Sequence, residues 1–425
     1  MSCAFSQEND SIIVFKKRVL EATEVDFLAS YYKQDGVHSS VSGGIGSEKL
    51  TDIASNIVVA MPLNDDDILT IDVGISAYTS ASSSNINPYD SNNPTPWQSS
   101  SGASEQDALV SLVANYSHSS DNRNLIWNVD VSFSNEYDYT SIGFGGGIAK
   151  LFNNKNSEVS FKVNAYLDQW RPIYPFEFRS GNNVSTDPAY APNFIEWEST
   201  ARNSYSASFS FSQVVTKKTQ FSVFFDVLQQ QGKLSSPYHR IYFADKTNYY
   251  IGNPTFTSNY ENENNIGAYQ LADAIEKLPN SRFKLPFGLR WNYYVNEIVV
   301  VRTYYRYYTD SWDITAHTAS IEIPIKVSDK FTIMPMYRYY IQTQSKYFAP
   351  YETHLSNQEY YTSDYDLSSF SANQYGFGVS YTDIFTKANI WKFGLKNIDF
   401  RFNHYDRSDG LSANIGSFGL KFVIQ

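Results

Sequence analysis

From residue 24 to the end of the chain, apolar and polar side chains alternate with a period of two, and in the clearest stretches no charge falls on the apolar parity. Phe283, Leu285, Phe287, Leu289, Trp291, Tyr293 and Val295 interleave with Lys284, Pro286, Gly288, Arg290, Asn292 and Tyr294. Val299, Val301, Thr303, Tyr305 and Tyr307 oppose Arg302, Tyr304, Arg306 and Tyr308. Ile321, Ile323, Ile325 and Val327 follow, then Phe331, Ile333, Tyr337, Tyr339 and Ile341, and the chain closes on Phe418, Leu420, Phe422 and Ile424. A period of two belongs to a strand with two unlike faces, not to a helix. Exclusion of charge from one face is what lipid demands, since a Lys or Arg at mid-bilayer costs about 2–4 kcal/mol.

The connections alternate between short and long. Short turns fall at Leu63–Asp67, Ser119–Arg123, Phe152–Asn156, Thr216–Thr219, Asn296–Glu297 and Val327–Lys330. Long loops span 80–106, 171–200, 232–281 and 347–370. Short turns on the periplasmic side and long loops outside are the outer-membrane arrangement. Strands are predicted to start near Glu24, Leu50, Ile68, Gln106, Asn124, Ser141, Ser157, Ala201, Thr219, Arg282, Ile298, Ile314, Phe331, Ser371, Phe393 and Leu411. The fold class is therefore all-β, a transmembrane antiparallel up-and-down barrel of about 16 strands, with 14 or 18 as neighbouring counts. An even number leaves both termini in the periplasm. A soluble barrel of that width could not be filled by its own side chains, so the apolar parity is expected to face outward. The mean hydropathy of -0.40 is no objection, because only alternate residues meet lipid. No apolar run approaches the roughly 18 residues of a membrane-spanning helix.

Composition supports the same reading. The chain carries 34 Tyr and 29 Phe among 425 residues. Phenol rings suit a bilayer interface, where the ring is apolar and the hydroxyl wet. A net charge of -11 argues against a nucleic-acid partner, which needs a basic face. The single cysteine, Cys3, excludes an internal disulfide. Residues 1–6 are expected to be the remnant of a secretory signal peptide, with Ala4-Phe-Ser6 as the cleavage triplet, or else to present Cys3 for lipidation. Residues 7–23 are expected to form a short periplasmic segment, and 24–425 the outer-membrane barrel.

If the apolar parity meets lipid, the other parity lines the lumen. It carries Asp26, Asp72, Asp130, Asp168 and Asp226 mostly in the first half. Arg290, Arg302, Arg306, Arg338 and Arg401 follow in the second, with Glu322 and Asp399 among them. Opposed acidic and basic walls would set a transverse field across a pore. Buried ion pairs bracing a narrow or plugged lumen are the other reading, since acids and arginines nearly balance and tyrosines share their parity.

The catalytic inventory is thin. None of the six histidines pairs with another at metal-ligand spacing, and no nucleophile elbow, P-loop or dinucleotide fingerprint is present. No catalytic residue, metal ligand or cofactor is expected. Gly143-Phe-Gly-Gly-Gly147 sits within a strand pattern and suits close backbone approach better than phosphate binding. His317 and His404 fall on the apolar parity near outer turns. The loop 232–281 holds an acidic patch and a predicted short helix at Tyr269–Lys277, and the loop 347–370 holds Glu352, Glu359, Asp364 and Asp366.

Several segments resemble one family. They are Ser30-Tyr-Tyr-Lys-Gln-Asp-Gly36 with Val41-Ser-Gly-Gly-Ile45, Asp72 with Ser80-Ala-Ser-Ser83, Pro237-Tyr-His-Arg240 and Leu278-Pro-Asn-Ser-Arg282. The most distinctive are Tyr304-Tyr-Arg-Tyr-Tyr-Thr-Asp-Ser-Trp-Asp313, with His317-Thr318, and Met336-Tyr-Arg-Tyr-Tyr-Ile-Gln-Thr-Gln344. From about residue 14 the chain is similar to an outer-membrane family of Bacteroidota and other Gram-negative bacteria, catalogued as domain of unknown function number 3570. The resemblance implies a barrel encoded near a small lipoprotein, a thioredoxin-like protein and a flavin transferase. The expected function is a conduit or porin-like channel for a small solute or exported factor, linked to an extracytoplasmic flavin or redox system. A closed assembly barrel anchoring a partner lipoprotein is the alternative, and a barrel enzyme the remote one. Outer-membrane lipids are the other expected partners.

Overall fold

The computed structural model of the chain describes residues 18–79, 106–180, 190, 196–247, 249–251 and 269–424. Sixteen antiparallel strands close into one barrel. They are β1 (Glu24–Asp35), β2 (Leu50–Pro62), β3 (Asp67–Thr79), β4 (Gln106–Ser119), β5 (Leu125–Asn135), β6 (Tyr139–Phe152), β7 (Ser157–Trp170) and β8 (Thr200–Thr216). The second half comprises β9 (Thr219–Gly232), β10 (Ser281–Tyr294), β11 (Val300–Asp310), β12 (Thr315–Glu322, extended by Ile325–Lys326), β13 (Phe331–Gln342), β14 (Phe370–Thr382), β15 (Phe393–Arg407) and β16 (Ser412–Ile424). Each strand pairs with its sequence neighbours, and β1 also pairs with β16, from Glu24 opposite Val423 to Asp35 opposite Ser412. Closure removes the open edge that would otherwise leave backbone donors unpaired in lipid. Across the closing seam Lys421 reaches Glu24 at 2.7 Å and Asp26 at 3.3 Å, and Lys396 reaches Glu24 at 2.6 Å.

The barrel is apolar outside and polar inside. Val73, Ile75, Val110, Leu112, Val129, Val131, Phe287, Leu289, Ile333 and Ile341 are all exposed outward. Exposed aromatics mark both ends of the band: Trp127, Phe152, Trp291, Phe331 and Phe393 towards the short turns, and Tyr31, Phe133, Phe283 and Tyr339 towards the long loops. Aromatic girdles at two levels are what a bilayer's interfaces select. Among the described residues no helix is long and apolar enough to cross a membrane.

Buried apolar clusters lie instead at the long-loop end. Tyr174, Phe178, Tyr242 and Ala272 form one, joined by Ile275 and Tyr351. Leu234, Leu278 and Trp312 form the other, joined by Tyr347 and Leu367. The helix expected at Tyr269–Lys277 is absent. Tyr269–Leu271 pairs with Tyr249–Ile251, and Ala274–Ile275 pairs with Arg240–Ile241. Lys277 exchanges backbone hydrogen bonds with Tyr361 of the loop after β13, so the segment is held by remote chain, which outweighs local helical preference. The glycine run behaves as close approach requires: a Cβ at Gly145 would lie 2.3 Å from Asp130 Oδ2 on the neighbouring strand. The signal remnant 1–6, Cys3 and nearly all of the loop 80–106 lie outside the described residues.

Candidate functional site: an open lumen beneath a packed mouth

All of Asp26, Asp72, Asp130, Asp168, Asp226, Arg290, Arg302, Arg306, Glu322, Arg338, Asp399 and Arg401 lie on the parity opposite the outward apolar side chains. In the half nearer the short turns these inward positions are solvent-accessible. Leu28 is 49% exposed, although it faces inward. Arg302 and Lys162 side chains are 52% and 49% exposed. Sixteen strands enclose more room than side chains of this size fill.

Only some of the expected charges meet. Glu322 on β12 accepts from Arg302 at 3.0 Å and from Arg401 on β15 at 2.7 Å. Arg401 reaches past β14 and β13, over Gly378, which has no side chain, and Met334; a Cβ at Gly378 would meet Met334 Cε at 3.1 Å and Arg401 Cγ at 3.3 Å. Asp130 pairs with Lys162 at 3.6 Å, and Asp72 accepts from Asn56 at 3.0 Å. Asp168 lines a cavity of about 430 Å³ with Glu136, Asp138 and Arg202. Asp226 stands opposite Ser208 in register, and Asp399 lines a mid-lumen cavity with Arg401 and Asn56. Lys162, Lys421 and Glu24 belong to the same wall, and their alternation with apolar neighbours was the signal that could have placed them.

Arg290, Arg306 and Arg338 form no ion pair among the described residues. The near balance of acids and arginines expected from counting therefore does not hold locally. The pairing register alternates these arginines with phenols: Arg290, Tyr304, Ser320 and Arg338 form one row across β10–β13, and Arg306, Thr318 and Tyr340 the next. Arg290 lies over the rings of Phe224 and Tyr304 at 5.4 and 5.7 Å, and Arg306 over Tyr308 at 6.0 Å. The Arg306 Nε is buried without a hydrogen-bond partner among the described residues. Arg306, Arg338, Thr318 and Tyr340 line a cavity of about 370 Å³, and Asp366 of the loop between β13 and β14 forms its upper edge.

That loop and the loop between β9 and β10 fold inside the rim. Inward-facing Gln342 donates to the carbonyls of Asp366 at 3.0 Å and Ser368 at 2.5 Å. Inward-facing Arg407 pairs with Asp366 and Asp409, each at 2.5 Å. On the opposite wall Trp170 and Tyr238 both bond Asp138, their rings meeting edge-on at 6.3 Å. Fully buried Arg240 holds Glu177 through Nε at 2.7 Å and Nη2 at 3.1 Å, and also donates to Val41 O. Four connections thus interlock over the lumen: 36–49, 171–199, 233–280 and 343–369.

The 233–280 and 343–369 connections meet at His239, Glu276, Asp364 and Thr362. His239 Nδ1 lies 3.3 Å from Glu276 Oε1, and Thr362 donates to the same oxygen at 2.5 Å. Burial alone would lower the histidine, yet the Glu276 charge raises it to about 9. Burial, then repulsion from Asp366, pushes Asp364 up to about 6. Burial and Asp366 also push Glu48 up to about 7. Sequence reasoning singled out Pro237–Arg240 and Asp364 as segments but missed Glu276 and Glu177, whose partners are remote in the chain. Of the outward histidines, His317 Nδ1 lies 2.8 Å from the Tyr305 hydroxyl, and His404 contacts Asn414 and Asp406, each at 2.9 Å.

No curated protein matches the chain in sequence. Solved barrels align over nearly its whole length at low similarity. A bacterial polysaccharide outer membrane secretin is 9% identical, with 95% of this chain and 99% of that one covered and a TM-score of 0.44. Pseudomonas aeruginosa OccK2 (OpdF), in complex with glucuronate, is 8% identical, with 96% and 99% covered and a TM-score of 0.41. A Pseudomonas aeruginosa FadL homologue is 11% identical, with 95% and 90% covered and a TM-score of 0.39. The barrel assigned above rests on its own strand register, not on these likenesses. A family model matches residues 6–416, and the chain belongs to the family described as "Protein of unknown function (DUF3570)".

Proposed function

We propose that this barrel sits in the bacterial outer membrane and conducts a small anionic solute, with its outer mouth held shut by interlocked loops until it is released. The outward apolar band, its aromatic girdles and the alternation of short turns with long loops support the membrane and its sidedness. The single observation that carries the conduit is the pair of adjacent lumen rows holding Arg290, Arg306 and Arg338, phenol-flanked and without an ion pair among the described residues. A wall built only to brace itself would place a carboxylate against each arginine, as Glu322 does for Arg302 and Arg401. Guanidinium groups bind carboxylates and phosphates in forked hydrogen bonds, so the solute class is a carboxylate or phosphate ester. A flavin-linked exported redox system would supply phosphate-bearing cofactors, and riboflavin 5′-phosphate is the first solute to test.

Planar-bilayer recording on a variant with a loosened mouth tests the reading. Its current is expected to be anion-selective, and Arg306→Ala with Arg338→Ala to move the reversal potential towards cation selectivity. An unchanged reversal potential would remove the arginines from the path. The packed mouth favours a second reading, a closed barrel holding a partner lipoprotein at the short-turn end, where Phe385 and Trp391 are 74% and 95% exposed. Co-purification of a stoichiometric lipoprotein, lost on Trp391→Ala, would favour it, together with a mouth that never conducts.

A further inference from the structure

The two loops that close the mouth converge on three donor atoms. His239 and Glu276 lie near opposite ends of the 233–280 connection, and Asp364 lies on 343–369. His239 Nδ1 is 3.3 Å from Glu276 Oε1 and 4.0 Å from Asp364 Oδ2, and all three donor atoms lie within 4.8 Å of one another. Each carboxylate has its other oxygen fixed by backbone. The Ser236 N–H donates to Glu276 Oε2 at 2.5 Å, and the Asp366 N–H donates to Asp364 Oδ1 at 3.0 Å. Asp364 Oδ2 accepts no hydrogen bond from a described residue. The Glu276 side chain is 3% exposed, while His239 and Asp364 are 19% and 22% exposed, so one side of the trio stays open to solvent.

We propose that His239, Glu276 and Asp364 bind one divalent transition-metal ion, which clasps the two loops across the mouth. The charge count points the same way. Two carboxylates and one imidazole carry net negative charge whether or not the ring is protonated, and such charge is costly to leave unmatched in a largely buried place. The nearby cation Lys233 makes no ion pair with Glu276 among the described residues. One imidazole nitrogen and two carboxylate oxygens suit zinc or manganese, whereas calcium takes 6–8 oxygens. Ligand bonds of about 2.0–2.2 Å to a tetrahedral ion place donors roughly 3.3–3.6 Å apart, so donors now within 4.8 Å of one another draw together by ~1.5 Å at most, within the reach of side-chain torsions. The backbone N–H groups on the far oxygens orient the carboxylates, as outer-shell partners do at metal centres. The competing arrangement is a bare His239–Glu276 ion pair, with Asp364 standing outside it and no ion bound.

The experiment uses the full chain, folded in detergent, freed of any affinity tag and stripped with EDTA. Zinc, manganese and calcium are offered separately, and bound metal is counted after desalting. The expected result is one zinc or manganese ion per chain, with hydrogen-exchange protection rising in 233–247 and 343–369 and unchanged in the strands. Asp364→Asn and Glu276→Gln are each expected to weaken uptake by roughly tenfold or more. Asp364→Asn is decisive, because a bare His239–Glu276 pair does not need it. Far-UV circular dichroism confirms that each variant retains its barrel. No stoichiometric uptake by the folded wild type, uptake of calcium alone, or uptake that survives both substitutions would overturn the proposal.

Discussion

The two ends of this barrel are built by different physics. Towards the short turns the wall is a repeating pattern whose inward charges sit in water and whose outward side chains are apolar. Lys421 there is 35% exposed, although it touches both Glu24 and Asp26. At the mouth, charges and aromatics are withdrawn from water together. Arg240 and Glu177 side chains are both 0% exposed, and Asp310 is 0% exposed beneath Arg282. The same kind of contact, a cation on a carboxylate, therefore has unlike consequences at the two ends. Exposed pairs contribute little, whereas removing one partner of a buried pair strands the other.

The largest effect is expected from Arg240→Ala. Glu177, whose side chain is 0% exposed, would lose both guanidinium hydrogen bonds, lowering the opening free energy of the mouth by about 3–5 kcal/mol. Hydrogen exchange should then quicken across 171–180, 233–247 and 343–369 while the strands keep their protection. Strands and mouth loosening together would dissolve the distinction. Next is Leu278→Ala, which hollows the cluster with Leu234 and Trp312. A cost of about 2–5 kcal/mol is expected, again confined to the mouth. Lys421→Ala at the other end should cost roughly 0–1 kcal/mol by the same assay, because its pairs are solvated. A Lys421→Ala effect matching that of Arg240→Ala would break the comparison.

The smallest effect concerns pH. Glu48 in the loop 36–49 has its proton affinity raised to about 7 by burial and by Asp366, with Arg407 opposing and Asp364 adding to the rise. The folded loop therefore keeps a proton that the unfolded chain gives up near its ordinary value of 4.5. Stability of this loop should fall as pH rises through that window, and stay flat below it. Protection in 36–49, taken relative to the intrinsic exchange rate at each pH, is expected to fall between pH 5 and 8, and Glu48→Gln to abolish the trend, while β1–β16 show none.

What could be read from sequence follows the same division. Alternation is local and repeats in every strand, so the starts expected at Glu24, Leu50, Gln106, Ser157, Thr219, Phe331 and Phe393 coincide with the observed ones, and the others lie within two residues. Lipid imposes one rule on the outward parity, and that rule is visible residue by residue. The mouth obeys no period. Glu177 meets Arg240 across 63 positions, and Thr362 meets Glu276 across 86. Neither pair is signalled by its neighbours in the chain. Tyr269–Lys277 reads as helix in sequence for the same reason, since its partners at 240–241, 249–251 and Tyr361 lie in loop chain whose course no pattern reveals. The inward parity stands between these cases. Its twelve charges share one strand parity in the sequence, but which arginines lack a carboxylate depends on cross-strand register and on gaps such as Gly378.

The contrast between an accessible lumen and a sealed mouth can be measured directly by thiol labelling. In a Cys3→Ser background, Lys162→Cys places a thiol on the open wall, and Gln342→Cys places one beneath the loop carbonyls of Asp366 and Ser368. A polar maleimide added to the folded protein should modify the first rapidly and the second slowly, and Arg240→Ala should bring the second up towards the first. Equal rates at both positions in the wild-type mouth, with the barrel intact, would contradict the account.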